Sequence, residues 1–285
     1  MPTNPLIGAS ELATKLANAE TVVVDCRFNL MAPEAGRQAY IDAHLPTAVY
    51  ADLDRDLART PSPDEGRHPL PSPEAFALTL GALGIGNASD VVVYDDQGGA
   101  IAARLWWLLR WVGHTRVAVL DGGLPAWNDA GYETTAGWVQ PQKRVFDTTR
   151  VHSDWVVTTE ELARTDAKSR GTLLDARAPA RFEGREEPID PVAGHVPGAV
   201  NWPFNVNLDN KGLFLSPNQV RANLPSGVEA ADSQVIAMCG SGVTACHLLL
   251  ALELIGLTGK LYAGSWSEWI RDSARPIEPP RTEPL

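Results

Sequence analysis

The chain of 285 residues has little of what binds nucleic acid or builds a disulfide framework. Lys and Arg number 24 against 35 Asp and Glu, so the formal net charge is -11. No basic stripe is available to neutralise phosphates, which argues against a nucleic-acid partner. The three cysteines, Cys26, Cys239 and Cys246, are too few and odd in number for a disulfide framework, which favours a reducing compartment.

Targeting, membrane and metal-binding signals are also missing from the sequence. Residues 1–8 have neither the basic start nor the apolar core of a signal peptide. The most apolar stretches, near Trp106 and Leu249, are interrupted by charged residues and are too short to span a bilayer. No His or Cys spacing is typical of a metal site. We therefore expect a cytoplasmic protein with no membrane partner, no metal and no cofactor.

An internal repeat organises the chain. Residues 22–27 (Val-Val-Val-Asp-Cys-Arg) match 173–177 (Leu-Leu-Asp-Ala-Arg), and residues 44–49 match 195–200. Ser72-Pro73 and Ser216-Pro217 are equivalent helix starts, with Ser as N-cap and Pro in the first turn. The same count from each Ser leads to Asp95 in the first half, with Asp96 as the other possible match, and to Cys239 in the second.

Short apolar runs alternate with helical patterns in both halves, which predicts an α/β fold with a parallel sheet in each half and helices on both faces. The polar segment 136–152 separates a first domain, 1–135, from a second, 153–285. The predicted strands lie near residues 21–25, 48–50, 91–94, 116–120, 172–175, 199–201, 234–238 and 260–262.

Cys239 stands where an apolar strand ends and a loop with two glycines, Gly240 and Gly242, leads into a helix. Unpaired N–H groups in the first turn of a helix favour an anion, so a thiolate at this position is a candidate nucleophile. A cation would favour it further, but no Lys or Arg lies between Cys239 and Leu257. The first half has no sulfur nucleophile at the equivalent position. The second domain is therefore the predicted catalytic one.

These residues resemble the two-domain rhodanese-like sulfurtransferases, most closely the branch that uses 3-mercaptopyruvate. The thiosulfate branch typically has basic second and third residues in the cysteine loop, where this chain has Gly240 and Ser241. The motifs that carry the resemblance are Asp25-Cys-Arg27, Trp106-Trp107, Asp121-Gly-Gly123 with Trp127, Asp175-Ala-Arg177, Arg181-Phe182, the segment 194–200, the loop 239–245 and Gly264-Ser-Trp-Ser-Glu-Trp269.

The resemblance implies two tandem rhodanese-like domains and a persulfide on Cys239. In the implied reaction Cys239 takes the sulfur of 3-mercaptopyruvate, pyruvate leaves, and a thiol, a thioredoxin-like protein or cyanide accepts the sulfur. Arg181 would bind the donor carboxylate. The implied catalytic residues besides Cys239 are Ser241, His68 and Asp54, and the amides of the loop residues Gly240, Gly242, Val243 and Thr244 would hold the sulfur anion.

Two positions depart from the pattern of the branch. Ile189 stands where a second carboxylate-binding arginine is usual, so that ligand is missing unless Arg185 takes its place, and Ala263 replaces an acid. Thiosulfate as donor, or a persulfide carrier without turnover, therefore remain alternatives. A related cysteine phosphatase is excluded, because its phosphate-binding arginine would stand at Ala245.

Overall fold

The computed structural model describes residues 4–148, 150–165, 169–228 and 234–278. The chain divides into two compact units that each include one segment from the other half of the sequence. The first unit comprises residues 1–59, 70–153 and 208–215, and the second comprises 60–69, 154–207 and 216–285. Among the described residues, no helix combines the length and apolar character needed to cross a bilayer.

The first unit contains a five-stranded sheet in which every pairing is parallel, with the order β1-β5-β4-β2-β3. Its strands are β1 Leu6–Ile7, β2 Thr21–Asp25, β3 Val49–Tyr50, β4 Asp90–Tyr94 and β5 Val117–Leu120. Its helices are α1 Ala9–Lys15, α2 Glu34–Asp42, α3 Pro73–Ala82, α4 Ala102–Trp111 and α5 Gly123–Asp129.

The second unit repeats this arrangement, with a parallel sheet in the order β6-β10-β9-β7-β8. Its strands are β6 Val156–Val157, β7 Thr172–Asp175, β8 Val200–Asn201, β9 Val235–Met238 and β10 Lys260–Tyr262. Its helices are α6 Thr159–Arg164, α7 Pro179–Phe182, α8 Pro217–Ala222, α9 Thr244–Leu254 and α10 Ser265–Trp269.

Both faces of each sheet are covered, as the continuous apolar strands predict. Successive side chains of a strand point to opposite faces, and Val23 and Val24 of β2 are both buried, as are Leu173 and Leu174 of β7. The predicted α/β class with two parallel sheets is confirmed. The predicted helix start at Ser72 is also confirmed, because its side chain accepts a hydrogen bond from the Ala75 amide at 3.2 Å.

Each sheet has one strand more than the sequence predicts. The additional strands are β1 and β6, which pair with β5 and β10 at the edges of their sheets. Each has two residues, which is too short for a hydrophobic period to be detected.

The repeated Asp-x-Arg sequence forms a buried ion pair at the end of β2 and of β7. Arg27 contacts Asp25 at 2.6 Å, and Arg177 contacts Asp175 at 2.7 Å. The same Nη2 atoms also donate to the carbonyls of Ala43 at 2.6 Å and Gly194 at 2.9 Å. Each arginine thus ties the carboxyl end of a central strand to a loop that precedes the next strand.

Candidate active site

The nucleophile candidate Cys239 directly follows β9, and the loop of residues 240–243 leads into α9. The Cys239 side chain is 2% exposed, and Ser241 and Val243 are buried as well. Thr244, the first residue of α9, is partly buried. Val243 is the N-cap of this helix. The loop is therefore a closed cradle around the sulfur.

The backbone N–H of Gly242 donates to Cys239 Sγ at 3.1 Å. Gly242 has a φ of +77°, in the left-handed region, and this turn directs its amide back to the cysteine. Among the described residues, Gly242 is the loop position whose amide donates to this sulfur. An N–H donor at this distance stabilises negative charge on sulfur, since a hydrogen bond to an ionised acceptor is stronger than one to a neutral group.

The segment Gly264–Trp269 fixes the loop from the other side. The Cys239 amide donates to Ser265 Oγ at 3.0 Å, and the Cys239 carbonyl accepts from the Trp266 amide at 3.0 Å. The Ser267 amide donates to the Gly240 carbonyl at 2.9 Å. The motif Gly264–Trp269, to which the sequence assigned no role, therefore binds the backbone of two consecutive residues, Cys239 and Gly240.

His68 and Ser241, which the family resemblance implies to be catalytic, lie in hydrogen-bond contact within the second unit. His68 Nδ1 lies 2.7 Å from Ser241 Oγ, and both side chains are buried. Residues 60–69 belong to this unit although they come from the first half of the sequence. Ser241 is two residues along the chain from Cys239, and its hydrogen bond with His68 is one along which a proton can move.

Two guanidinium groups lie against Gly240. A Cβ atom built on Gly240 would lie 3.0 Å from Arg67 Nη2 and 3.6 Å from both Nη atoms of Arg181. Arg67 Nη1 pairs with Asp190, whose other oxygen accepts from Arg181 Nη2 at 3.0 Å. Arg181 also contacts Glu187 at 2.7 Å. The cations that the loop itself lacks are supplied by these two arginines.

Arg67 is a residue of the site that the sequence did not predict, although it directly precedes the predicted residue His68. Arg185 does not replace the arginine missing at position 189, because it is exposed and pairs with Glu183. Ile189 is partly buried, and its amide donates to Glu187 at 3.2 Å. The predicted residue Asp54 lies in the first unit with an exposed side chain, and its catalytic role stays a prediction.

Asp95 is the counterpart of Cys239 in the first unit. It directly follows β4, and the register of the central strands is the same in both sheets: Asp25 pairs with Tyr94, and Asp175 with Met238. This settles the match as Asp95 and not Asp96. Its carboxylate accepts four hydrogen bonds at 2.8–2.9 Å, from the backbone N–H groups of Gln97, Gly99, Ile101 and Ala102.

The Asp95 carboxylate shows what this type of loop can hold. Complete burial raises the pKa of Asp95 above its usual value, although the four amides act in the opposite direction. A strand-loop-helix cradle of this kind thus offers four converging N–H groups to an acidic group placed at the strand end. In the second unit the same place is taken by a thiol.

The other two cysteines are buried. Burial, reinforced by Asp25, Asp95 and Asp56, raises the pKa of the Cys26 thiol well above its usual value. Cys246 is buried on α9, and its Sγ contacts the Gly242 carbonyl at 3.4 Å. Within the described ranges, no group of three or more His, Cys, Asp or Glu residues is arranged to hold a metal ion.

The fold and the cysteine loop define a protein class. The chain belongs to the rhodanese-like family: residues 8–130 and 158–272 each match the rhodanese-like domain. A relative from Pseudomonas aeruginosa, named a probable 3-mercaptopyruvate sulfurtransferase, is 44% identical over 281 residues, which cover 97% of this chain and 99% of that one.

A second relative is named for a different sulfur donor, thiosulfate. The Mycobacterium tuberculosis protein provisionally named thiosulfate sulfurtransferase SseB is 42% identical over 275 residues, 95% of this chain and 96% of that one. Among solved structures, the 3-mercaptopyruvate sulfurtransferase from Leishmania major superposes with a TM-score of 0.83 at 32% identity, covering 94% of this chain and 75% of that one. Sulfur transfer is therefore the activity class of this chain.

Proposed function

We propose that the protein transfers the sulfur of 3-mercaptopyruvate to a thiol acceptor through a persulfide on Cys239. The observation that carries the proposal is the contact between Cys239 Sγ and the Gly242 amide at 3.1 Å, in a cradle that also holds the His68–Ser241 pair. The name of the Pseudomonas relative supports the donor. Covalent catalysis by an activated cysteine predicts ping-pong kinetics.

In the first half-reaction the Cys239 thiolate attacks the donor sulfur and the donor C–S bond breaks. The bonding pair stays on carbon, giving the enolate of pyruvate, and the thiol proton of the donor ends on that carbon. We propose that Ser241 and His68, 2.7 Å apart, carry this proton. The products are pyruvate and a persulfide anion on Cys239.

In the second half-reaction a thiol acceptor removes the outer sulfur. The acceptor sulfur bonds to the outer persulfide sulfur, the S–S bond to Cys239 breaks, and the Cys239 thiolate is restored. The acceptor leaves as a persulfide that has kept its proton. A thioredoxin-like protein is the acceptor we propose, in a reducing cytoplasmic compartment that suits three free, buried cysteines.

The Asp95 loop supports the persulfide as an intermediate that this fold can hold. A carboxylate places its oxygens two bonds beyond Cβ, and the outer sulfur of a cysteine persulfide is also two bonds beyond Cβ. Two of the four amides around Asp95, those of Ile101 and Ala102, belong to the N-cap and the first residue of α4, and Val243 and Thr244 hold the same places in α9. Amides at such places can donate to the outer sulfur of Cys239. We propose the amides of Gly240, Gly242, Val243 and Thr244 for this role, together with carboxylate binding by Arg181.

Charge balance favours a singly charged donor. Arg67 and Arg181 are already paired with Asp190 and Glu187, so the local charges of these four groups cancel. Thiosulfate brings two negative charges to this neutral group, against one for 3-mercaptopyruvate, so its desolvation cost is the larger. The name of the Mycobacterium relative keeps thiosulfate as the second candidate donor, with sulfite as the leaving group.

The test is to treat the protein with 3-mercaptopyruvate and to analyse it by mass spectrometry. We expect a mass increase of one sulfur atom on Cys239 and release of pyruvate, both abolished in Cys239→Ser because a hydroxyl cannot form a persulfide. Cys246→Ser is the matched control, and it should keep both signals. A sulfur adduct on Cys246 that persists in Cys239→Ser would refute the assignment, and sulfur loading without repeated pyruvate release would indicate a carrier.

A further inference from the structure

The guanidinium groups of Arg67 and Arg181 converge on the residue that follows the nucleophile. Their nearest approach to the Cβ position of Gly240 is 3.0 Å for Arg67 and 3.6 Å for Arg181. Because Gly240 has no side chain, the two guanidiniums can lie this close to the loop. An anion bound to both of them therefore lies near Cys239 and faces two cations.

Each guanidinium keeps N–H groups that bind no acceptor in the described ranges of the chain. Arg67 Nη2 and Arg181 Nη1 donate to no residue in the described part of the chain, and Arg67 Nε is buried without a partner. A buried donor without an acceptor, which is the case of Arg67 Nε, costs about 1–3 kcal/mol. A carboxylate bound by the two guanidiniums would supply acceptors for their unused N–H groups, and a bound ion is one explanation for an unsatisfied group in a site.

Arg67 is held in place by its backbone and by Asp190. The Arg67 amide donates to Ser267 Oγ at 3.1 Å, and the Gly66 amide donates to Glu268 at 3.2 Å. Ser267 is also the residue whose amide binds the Gly240 carbonyl. One serine therefore fixes the distance between the arginine and the cysteine loop.

We propose that Arg67 is the second donor-binding arginine of this protein, and that Asp190 tunes the Arg67–Arg181 pair for a singly charged carboxylate. This inference rests on the proposed function, since it concerns the donor of the same reaction. It explains how a chain with Ile189 in place of an arginine can still bind the donor with two guanidiniums. The second one comes from residues 60–69 of the sequence.

The role of Asp190 follows from its two contacts. One oxygen pairs with Arg67 and the other with Arg181, and the side chain is 3% exposed. Its negative charge lowers the positive potential of both guanidiniums without occupying their free N–H groups. Replacing it by Asn keeps the shape and removes the charge, which should improve the binding of a dianion relative to a monoanion.

The first experiment compares steady-state kinetics of Arg67→Gln, Arg67→Lys and the matched control Arg185→Gln, which removes one exposed positive charge from the same unit. We expect Arg67→Gln to lower kcat/KM for 3-mercaptopyruvate about 10- to 100-fold, chiefly through KM, because hydrogen bonds to a charged ligand are lost. Arg67→Lys should recover part of the loss, and Arg185→Gln should behave as wild type. Weaker binding of pyruvate to Arg67→Gln than to the wild type, measured by calorimetry, would show the same loss without turnover.

The second experiment measures the ratio of kcat/KM for thiosulfate to that for 3-mercaptopyruvate in Asp190→Asn. We expect the ratio to rise at least severalfold, with the thermal midpoint of unfolding recorded to exclude a folding defect. An unchanged KM in Arg67→Gln, or an unchanged ratio in a folded Asp190→Asn, would overturn the inference while wild-type turnover continued. Absence of turnover in the wild type would instead overturn the proposed function itself.

Discussion

At the scale of single residues, the two positions of the cysteine loop that hold glycine require it for different physical reasons. Gly240 leaves space for the guanidiniums of Arg67 and Arg181. Gly242 combines a φ of +77° with a close approach, because a Cβ there would lie 2.4 Å from the Ala263 carbonyl oxygen. A side chain at Gly242 would therefore have to displace the backbone, and with it the N–H group that binds the Cys239 sulfur.

Gly242→Ala should accordingly cost both stability and activity. We compare it with Gly256→Ala, another left-handed glycine of the same unit, at φ +75° with no atom within 4 Å of the added Cβ. Gly256→Ala should cost about 1–2 kcal/mol from the left-handed conformation alone. Gly242→Ala should cost more in urea unfolding and should lower kcat sharply. Equal unfolding costs with normal turnover would show that the Ala263 contact does not constrain the loop.

At the scale of elements, the carboxyl ends of β2 and β7 are secured by the same device. Asp175 and Arg177 are almost completely buried, and the Arg177 guanidinium lies 4.8 Å from the centre of the Trp266 ring. Trp266 in turn binds the Cys239 carbonyl through its amide. The ion pair therefore supports the strand next to the nucleophile and the tryptophan that fixes the loop.

Removing one partner of a buried pair leaves the other charge uncompensated. Asp25→Ala and Asp175→Ala should each lower the free energy of unfolding by about 3–5 kcal/mol. The control is Glu11→Ala, which breaks the exposed contact between Lys15 and Glu11 at 3.3 Å and should cost about 0.3–0.5 kcal/mol. Chemical denaturation followed by circular dichroism measures all three. Similar costs for the buried and exposed pairs would contradict this account.

The elements that could be predicted are those with a local signal. β2, β4, β7 and β9 are strands of four or five residues that contain two or more consecutive apolar residues, and Cys239 was located by the strand before it and the glycines after it. Arg67 could not be found in this way, because its contacts with Asp190 and Gly240 join residues more than a hundred positions apart. Hydrophobic period and turn residues carry no information on such pairs. The Gly-Arg-His-Pro sequence was the available signal.

At the scale of the whole molecule, the two units have matched cores but exchanged segments. Trp127 and Trp269 are equivalent: both are buried, and each indole N–H donates to a backbone carbonyl at 2.9 Å, that of Glu133 and that of Pro276. We retain 1–135, 136–152 and 153–285 as a proposal for the limits of the sequence repeats. To these limits the structure adds residues 60–69 for the second unit and 208–215 for the first.

Hydrogen exchange should show that residues 60–69 unfold with the second unit and residues 208–215 with the first. Trp127→Ala should destabilise the first unit by about 3–5 kcal/mol and accelerate exchange in β4 and in residues 208–215, where the Phe214 amide donates to Asp121 at 2.8 Å. Trp269→Ala should do the same for β9 and residues 60–69. Mass spectrometry of peptide fragments provides the measurement. Faster exchange of residues 60–69 in Trp127→Ala, with no change in Trp269→Ala, would refute the assignment of that segment.

The exchange of segments has a consequence for how this gene can evolve. A recombination event that separated the two halves at residues 136–152 would deliver a catalytic half without Arg67 and His68, and a companion half without residues 208–215. Neither separated half would contain all the residues of its structural unit. Because each half of the chain supplies a segment to the unit built mainly by the other half, selection acts on the two halves together.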